Sequence, residues 1–502
     1  MGRRIEFFHL IGPAIKLATK ATAMFDLFSD EMRRDPYPVY EMLRSGSPVF
    51  HLAAFDLWMI FDYDGVKRAL VDHDVFSSNL AHVPGNGSPG EWFIFFDPPR
   101  HTKLRALIAK AFTPRVVANL EPRIRELSRQ LLDETIERGA MDLAVDFAVP
   151  LPMRVIAELL GIPATQWPRY KRWSDTILKI ANTFAKNDET VKTFEEFRAV
   201  KEEMRAFLPK LIAQRRAAGA SLTPTPLPQG ERGAGSPLAP GGRGVGGEGD
   251  HSAHSSLTPT PLPRVERGAM SPLTPTPLPQ GERGADSPLA PGGRGVGGEG
   301  DTLLTRLVEA EVDGERLTHE EILGFVQLLL VGGQETTANL INNAVLCFLE
   351  NPDQLVRLRA TPDFLPSAIE EVLRYRSPLH WMPRATTRPI ELHGQVIPAG
   401  KLVLPMIGSA NRDPRQFRDA GRFDIARDPN PHLAFGLGIH ACLGAPLARL
   451  EARIALTDFL ERVQDFALAS PEPWEPRKAL SVHGPSRLPI RFTPGRRVGA
   501  TV

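Results

Sequence analysis

A chain of 502 residues with 42% hydrophobic and 24% charged side chains can bury a sizeable core. Its 60 basic and 59 acidic residues leave a net charge of +1, which gives no reason to expect nucleic acid as a partner. Two cysteines, Cys347 and Cys442, are too few for a disulfide framework or an all-cysteine iron–sulfur cluster, and a reducing, cytoplasmic setting fits them best.

In chain order, residues 5–25 are moderately apolar but are interrupted by His9, Pro13, Lys16 and Lys20. A membrane span needs about 20 mostly apolar residues, and a signal peptide needs an unbroken apolar stretch and a small-residue cleavage site. We therefore read 1–24 as a soluble extension without a stable membrane anchor. Short strands are expected in PVFHLAAFDLWMIFD, and helices in HTKLRALIAKAF, PRIRELSRQLLDETIERG, RVIAELLG and FRAVKEEMRAFLPKLIAQRRAAG, whose apolar residues recur at spacings of three and four.

Residues 222–301 break the pattern. LTPTPLPQGERGAGSPLAPGGRGVGGEGD at 222–250 returns at 273–301 with Gly235 replaced by Asp286, and a partial third copy starts at Leu257. The segment holds 14 Pro and 18 Gly and no Phe, Trp or Tyr, so it cannot bury enough apolar surface to offset its ordering entropy. Its G-x-G-x-x-G match (Gly242, Gly244, Gly247) has no strand before it or helix after it, and His251 and His254 lack a frame to hold a metal. We read it as a disordered insert, in a surface turn, within one domain spanning 25–502.

After the insert, TLLTRLVEAEVDG reads as helical. Thr318 and Glu321 then form a capping box that starts a helix running to about Glu350, where Asn351-Pro352 stops it. At 1.5 Å per residue such a helix spans roughly 48 Å, enough to cross a domain. Gly332-Gly333-Gln334-Glu335-Thr336-Thr337 lies in its middle. Two central glycines signal either tight packing or a local opening beside an acid and a hydroxyl. Helices follow in FLPSAIEEVLRYR and APLARLEARIALTDFLERV, with strands and turns between 390 and 405. The fold class is mainly α with a small β-rich portion.

FGLGIHACLG at 435–444 places Cys442 in a glycine-rich loop immediately before a helix, where N–H groups and the helix dipole favour a thiolate. A thiolate so held suits an axial iron ligand. Cys347, on the long helix, reads as an ordinary buried thiol.

With this loop the sequence resembles the cytochrome P-450 heme-thiolate monooxygenases of the soluble bacterial kind, from Phe25 to about Pro494 apart from the insert. The resemblance implies a large helical bundle around heme b, with Cys442 as the iron ligand and Phe435 and Gly444 in the heme-binding loop. It makes VGGQETT the oxygen-activation segment, with Glu335 and Thr336 as the proton-handling pair; many members carry Asp where Glu335 stands. It makes Glu371 and Arg374 the E-x-x-R pair, and Arg422, in AGRFD, its partner, although Ala420 replaces the usual proline. His101, Arg105, Arg384 and His440 match heme-propionate contacts.

The implied reaction inserts one atom of O2 into a lipophilic molecule. Electrons would come from a ferredoxin and its NAD(P)H-linked reductase, and the enzyme would be a monomer. The substrate pocket is expected from the loop around 79–96, the helices before the insert, Phe325–Gly333 and Leu379–Met382. A peroxide-driven hydroxylase would not need the Glu335–Thr336 pair, and a non-catalytic heme protein would not need these motifs intact.

Overall fold

The computed structural model describes residues 29–84, 92–181, 188–220 and 302–495; the extension, the insert and the 85–91 part of the pocket loop lie outside the described residues. The described residues fall in one compact unit.

The central element is the helix His319–Glu350, which starts at the expected capping box: Thr318 Oγ1 accepts from the Glu321 N–H, and Glu321 accepts from the Thr318 N–H. From Gln334 to Phe348 its residues are buried except Thr336, which is half-buried, so it is a core helix rather than an amphipathic one. Helices Pro150–Leu159, Trp167–Ala181, Leu365–Tyr375 and Ala445–Arg462 pack against it. Gly333 is there for packing: a Cβ would meet Ile156 Cδ1 at 2.7 Å. Gly332 is exposed with open space beside it, although it sits mid-way along a core helix. The helix stays α-helical through both glycines rather than opening.

A five-stranded sheet flanks the bundle in the order Val49–Leu52, Leu57–Ile60, Leu402–Pro405, Arg384–Thr386, Phe76–Ser77. Leu402 pairs in parallel with Leu57 and antiparallel with Ala385, and Ser77 pairs with Ala385. This register brings the start of the Arg384 strand, Ser77–Ser78 and the loop after them to one sheet edge. The turn at His393-Gly394, both at positive φ, joins strands Ile390–Leu392 and Gln395–Ile397 as expected. One expectation fails: after the insert, helix Leu303–Glu309 ends before Ala310, and Asp313-Gly314, at positive φ, turns a short hairpin instead. Asp-Gly is the strong hairpin signal that the helical periodicity masked.

Glu371 and Arg374, three apart on helix Leu365–Tyr375, are wholly buried and joined by two 2.8 Å bonds. Arg374 then donates to the carbonyls of Asn411, Ala420 and Arg422 at 3.0, 2.9 and 2.9 Å. Glu371 accepts from the Asp424 N–H, Arg427 Nε and Asn430 Nδ2. This corrects the assignment of Arg422: its side chain is exposed and only its carbonyl serves the pair, while the guanidinium is that of Arg427, 3.1 Å from Glu371. Ala420 can stand where proline is usual because the contact uses its carbonyl alone.

Removing a partner from a buried ion pair leaves a bare charge. Arg427→Ala is expected to lower unfolding stability in urea by roughly 1.5–3 kcal/mol, whereas Arg422→Ala should stay within about 0.5 kcal/mol of the parent. The reverse order would return the role to Arg422.

Candidate heme site

Cys442 lies in the loop that precedes helix Ala445–Arg462, and two features fix the loop. Gly436 and Gly438 adopt φ of 67° and 69°, a left-handed conformation open to glycine at little cost. The Cys442 N–H then donates to Phe435 O at 2.8 Å. Gly444 leaves its face toward the sulfur clear: a Cβ there would lie 3.8 Å from Cys442 Sγ. Phe435 is half-buried under the Arg449 guanidinium, 4.5 Å from its ring centroid, and Arg449 in turn grips Glu370 through two 2.7 Å bonds.

The thiol is exposed, yet protein atoms surround it closely enough for burial to raise its pKa above the ordinary thiol value. The N–H groups of Gly444 and Ala445, Arg105 and Arg449 pull the other way. The helix N-terminus alone therefore does not yield the expected thiolate; a metal ion at the sulfur would. Cys347 is fully buried, with its thiol pushed up to about 12, and no second thiol competes.

Four cationic or donor side chains converge near this loop. Arg105 donates to Ala441 O at 2.7 Å, beside Cys442. His101, four residues earlier on helix Arg100–Ala111, has its ring centroid 4.0 Å from that of His440. Burial lowers the His101 pKa to about 4 with help from Arg105, and lowers that of His440 to about 2 with help from His101, Arg384 and Arg105. Arg384 is buried, which lowers its pKa to about 10, and donates only to its neighbour Pro383 O at 2.9 Å.

Among the described residues, the carboxylate that acts on His101 and Arg384 is that of Asp97, which already accepts from the Ser77 hydroxyl and the Ser78 N–H. Both ring nitrogens of His101 and Nδ1 of His440 have no hydrogen-bond partner among the described residues; His440 Nε2 meets Ser78 Oγ at 3.0 Å. Buried cations and donors without an anion cost free energy unless a ligand supplies one. Two carboxylates, as heme b carries, fit this set, and an exposed thiol beside it fits its iron. Ser78, Asp97 and Arg449 were not foreseen as contributors, although Asp97 opens the DPPRHTKLRALIAKAF segment that carries His101 and Arg105.

On the long helix, Glu335 and Thr336 point to different surroundings. Thr336 donates to Gly332 O, one turn back, on the exposed patch that Gly332 opens. Glu335 is buried, with Arg477 Nη1 3.3 Å away. Burial raises its pKa, and Arg477 opposes the rise. Arg477, 142 residues downstream, had no sequence signal.

The expected pocket lining divides. Phe325 packs on Phe93 with ring centroids 6.2 Å apart, while Leu379 and Met382 are half-buried. His380 and Trp381 instead turn into the core: Tyr40 Oη lies 3.0 Å from His380 Nδ1, and Trp381 Nε1 donates to Leu480 O.

Residues 299–482 match the family Cytochrome P450. The chain is 36% identical to Putative cytochrome P450 YjiB of Bacillus subtilis (strain 168), over 88% of this chain and 90% of that one. The chain belongs to the cytochrome P450 family. It is 33% identical to Cytochrome P450 monooxygenase PikC of Streptomyces venezuelae, over 96% of this chain and 97% of the relative. The crystal structure of cytochrome P450 CYP109Q5 from Chondromyces apiculatus superposes with a TM-score of 0.70 at 32% identity, covering 93% of this chain and 98% of that one. This P450 is accordingly a heme-thiolate monooxygenase that carries heme b. No helix among the described residues is long and apolar enough to cross a membrane.

The lowered pKa of His101 has a sign that can be checked in the heme-free protein. Between about pH 4 and the unfolded value of about 6.5, the unfolded chain binds the proton and the folded one does not. Stability contributed by neutral His101 is therefore full above about pH 6.5 and falls with falling pH until about pH 4. Chemical unfolding of the apoprotein should show His101→Phe losing less stability than the parent between pH 6.5 and 5. Parallel losses would contradict the burial of a neutral ring.

Proposed function

We propose that Cys442 is the proximal iron ligand, that His101, Arg105, Arg384 and His440 hold the heme carboxylates, and that Glu335 and Thr336 manage protons on the opposite face. The observation that carries this reading is the cluster of buried cations and donors without an anion beside the only accessible thiol among the described residues.

Heme, when bound, supplies the iron at which O2 is reduced and an oxygen atom is transferred. The overall change is R–H + O2 + 2 H⁺ + 2 e⁻ → R–OH + H2O. The chain's own residues hold the cofactor, orient the substrate and deliver the two protons. Phe435, Gly436 and Gly438 shape the loop that presents Cys442, and the Cys442 N–H to Phe435 O bond fixes the sulfur's direction. Arg105 ties helix Arg100–Ala111 to this loop through Ala441 O, so cation cluster and thiol are positioned together. Thr336 Oγ1, parked on Gly332 O, can rotate to hold a water or donate on the exposed patch it shares with Gly332. Glu335, one residue earlier and raised by burial, is the nearest acid on that helix to replenish it.

The helix face next to Thr336 carries Gly332, Leu328 and Leu329, half-buried or exposed and without charge, which supports a lipophilic substrate. We place the enzyme in the cytoplasm as a monomer, with 222–301 as an insertion in a single domain. Electrons come from a ferredoxin with an NAD(P)H-linked reductase. Both cysteines are free, as a reducing compartment requires.

The test is coupling. With ferredoxin, reductase and NADH, and a compound chosen from a steroid and fatty-acid panel by its shift of the heme spin state, Thr336→Ala should still bind heme. It should release most reducing equivalents as hydrogen peroxide, with product formation falling on the order of 10²-fold. Unchanged coupling removes Thr336 from the mechanism. Activity with hydrogen peroxide alone, and none with ferredoxin, would replace this reading by a peroxide-driven hydroxylase. Separately, Arg384→Leu should weaken heme retention on gel filtration without lowering apoprotein stability, since it removes a buried cation that has no direct ion pair among the described residues.

A further inference from the structure

One face of the long helix is polar and buried at once. Glu335, Asn339, Asn342 and Asn343 stand at i, i+4, i+7 and i+8, so they share a side of the helix. All four are buried, the three asparagines completely. A stretch from the C-terminal region closes over them. Arg477 Nε donates to Asn339 Oδ1 at 3.1 Å while its Nη1 lies 3.3 Å from Glu335. Asn343 Nδ2 donates to the carbonyls of His483 and Arg376, both at 3.0 Å. Arg376 reaches Glu350 at 2.9 and 2.7 Å, and the Glu350 side chain is 43% exposed. Gly484 must be glycine here: a Cβ would lie 2.6 Å from Asn339 Oδ1.

These contacts leave much of the face unanswered. Asn339 Nδ2, both side-chain polar atoms of Asn342, Asn343 Oδ1, Arg376 Nε and Nη1, and His483 Nδ1 are buried without a hydrogen-bond partner among the described residues. Folded proteins do not tolerate that many unpaired groups side by side; bound water satisfies such sites, typically with about three hydrogen bonds per molecule. The unpaired atoms belong to successive turns of one helix face and to the segments that cover it.

We propose that water molecules held by Asn339, Asn342, Asn343 and Arg376 form a chain along this face, connect Glu335 to solvent at Glu350, and are the path by which protons reach Glu335. The proposal rests on the reading of Glu335 as the acid that resupplies protons. Arg477 is a positioning residue in it. A guanidinium keeps its protons at neutral pH and cannot relay them, so Arg477 fixes the Glu335 carboxyl at the inner end while water does the carrying. Asn342 matters most, because it makes no protein hydrogen bond and is free to hold two waters.

Two measurements test this. The first is a crystal structure of the full-length holoenzyme at a resolution that shows ordered water. Waters bridging Asn339 Nδ2, Asn342 and Asn343 Oδ1 are expected; asparagines paired directly with one another on a dry face would overturn the proposal. The second compares Asn342→Leu, Asn342→Ser and Glu335→Gln in the ferredoxin-driven assay, using the first compound that shifts the spin state, in H2O and D2O. Asn342→Leu should slow product formation about tenfold with an enlarged solvent isotope effect and unaltered heme content. Asn342→Ser, which still binds water, should stay within about twofold of the parent. If Glu335→Gln is impaired but Asn342→Leu keeps the parent rate and isotope effect, the path is wrong and the role of Glu335 stands. If Glu335→Gln is also unimpaired, the parent reading fails. Should Asn342→Leu not fold, the water positions in the wild-type crystal decide the matter.

Discussion

Glu371 and Arg374 meet no solvent, and each satisfies the other before it satisfies anything else. Arg374 spends its remaining donors on three carbonyls of the segment 411–422, and Glu371 accepts from Asp424, Arg427 and Asn430. A segment with little regular structure is thereby pinned to a helix by charge. Ten residues after Arg422, His432 meets Glu370, the neighbour of Glu371, before the chain enters the cysteine loop, and Arg449, beyond that loop, grips the same carboxylate. A buried pair of this kind is weak evidence for stability but strong evidence for a unique arrangement, because breaking it strands a charge.

What the pair positions is an electrostatic arrangement that the protein does not complete by itself. Burial disfavours the protonated forms of His101, His440, Arg105 and Arg384, and neighbouring cations add to the effect at the two histidines. A dianionic, iron-bearing, flat apolar cofactor removes three costs together: unmatched cations, unpaired imidazole nitrogens and a thiol held above its ordinary pKa. Elsewhere on the long helix, Thr336 shares an exposed, uncharged patch with Gly332, and Glu335 turns away from it to a polar seam. The division of work follows from helix geometry, since residues one apart diverge by about 100°.

Much of this was legible in sequence because it is local. The capping box at Thr318, the stop at Asn351-Pro352, the turns at His393-Gly394 and the glycines around Cys442 each act within a few residues, and the structure has them where expected. Legibility ended where a role depends on which atom of a residue is used or on a partner far along the chain. Arg422 and Arg427 are equally plausible cations in sequence; only folding shows that one lends a carbonyl and the other a guanidinium. Arg477 meets Glu335 through a strand pairing that no pattern near either residue announces. The periodicity of TLLTRLVEAEVDG hid a hairpin because Asp313-Gly314 is a two-residue signal inside a longer helical one.

The central claim is that the sulfur of Cys442 is the ligand that defines this site. The most direct measurement is the absorption spectrum of the reduced, carbon-monoxide-bound protein. The account predicts a Soret band shifted to the red, as thiolate ligation produces, in the wild type and its loss in Cys442→His even where heme is retained. A wild-type band at the position given by histidine ligation, or a red-shifted band that survives removal of Cys442, would contradict it.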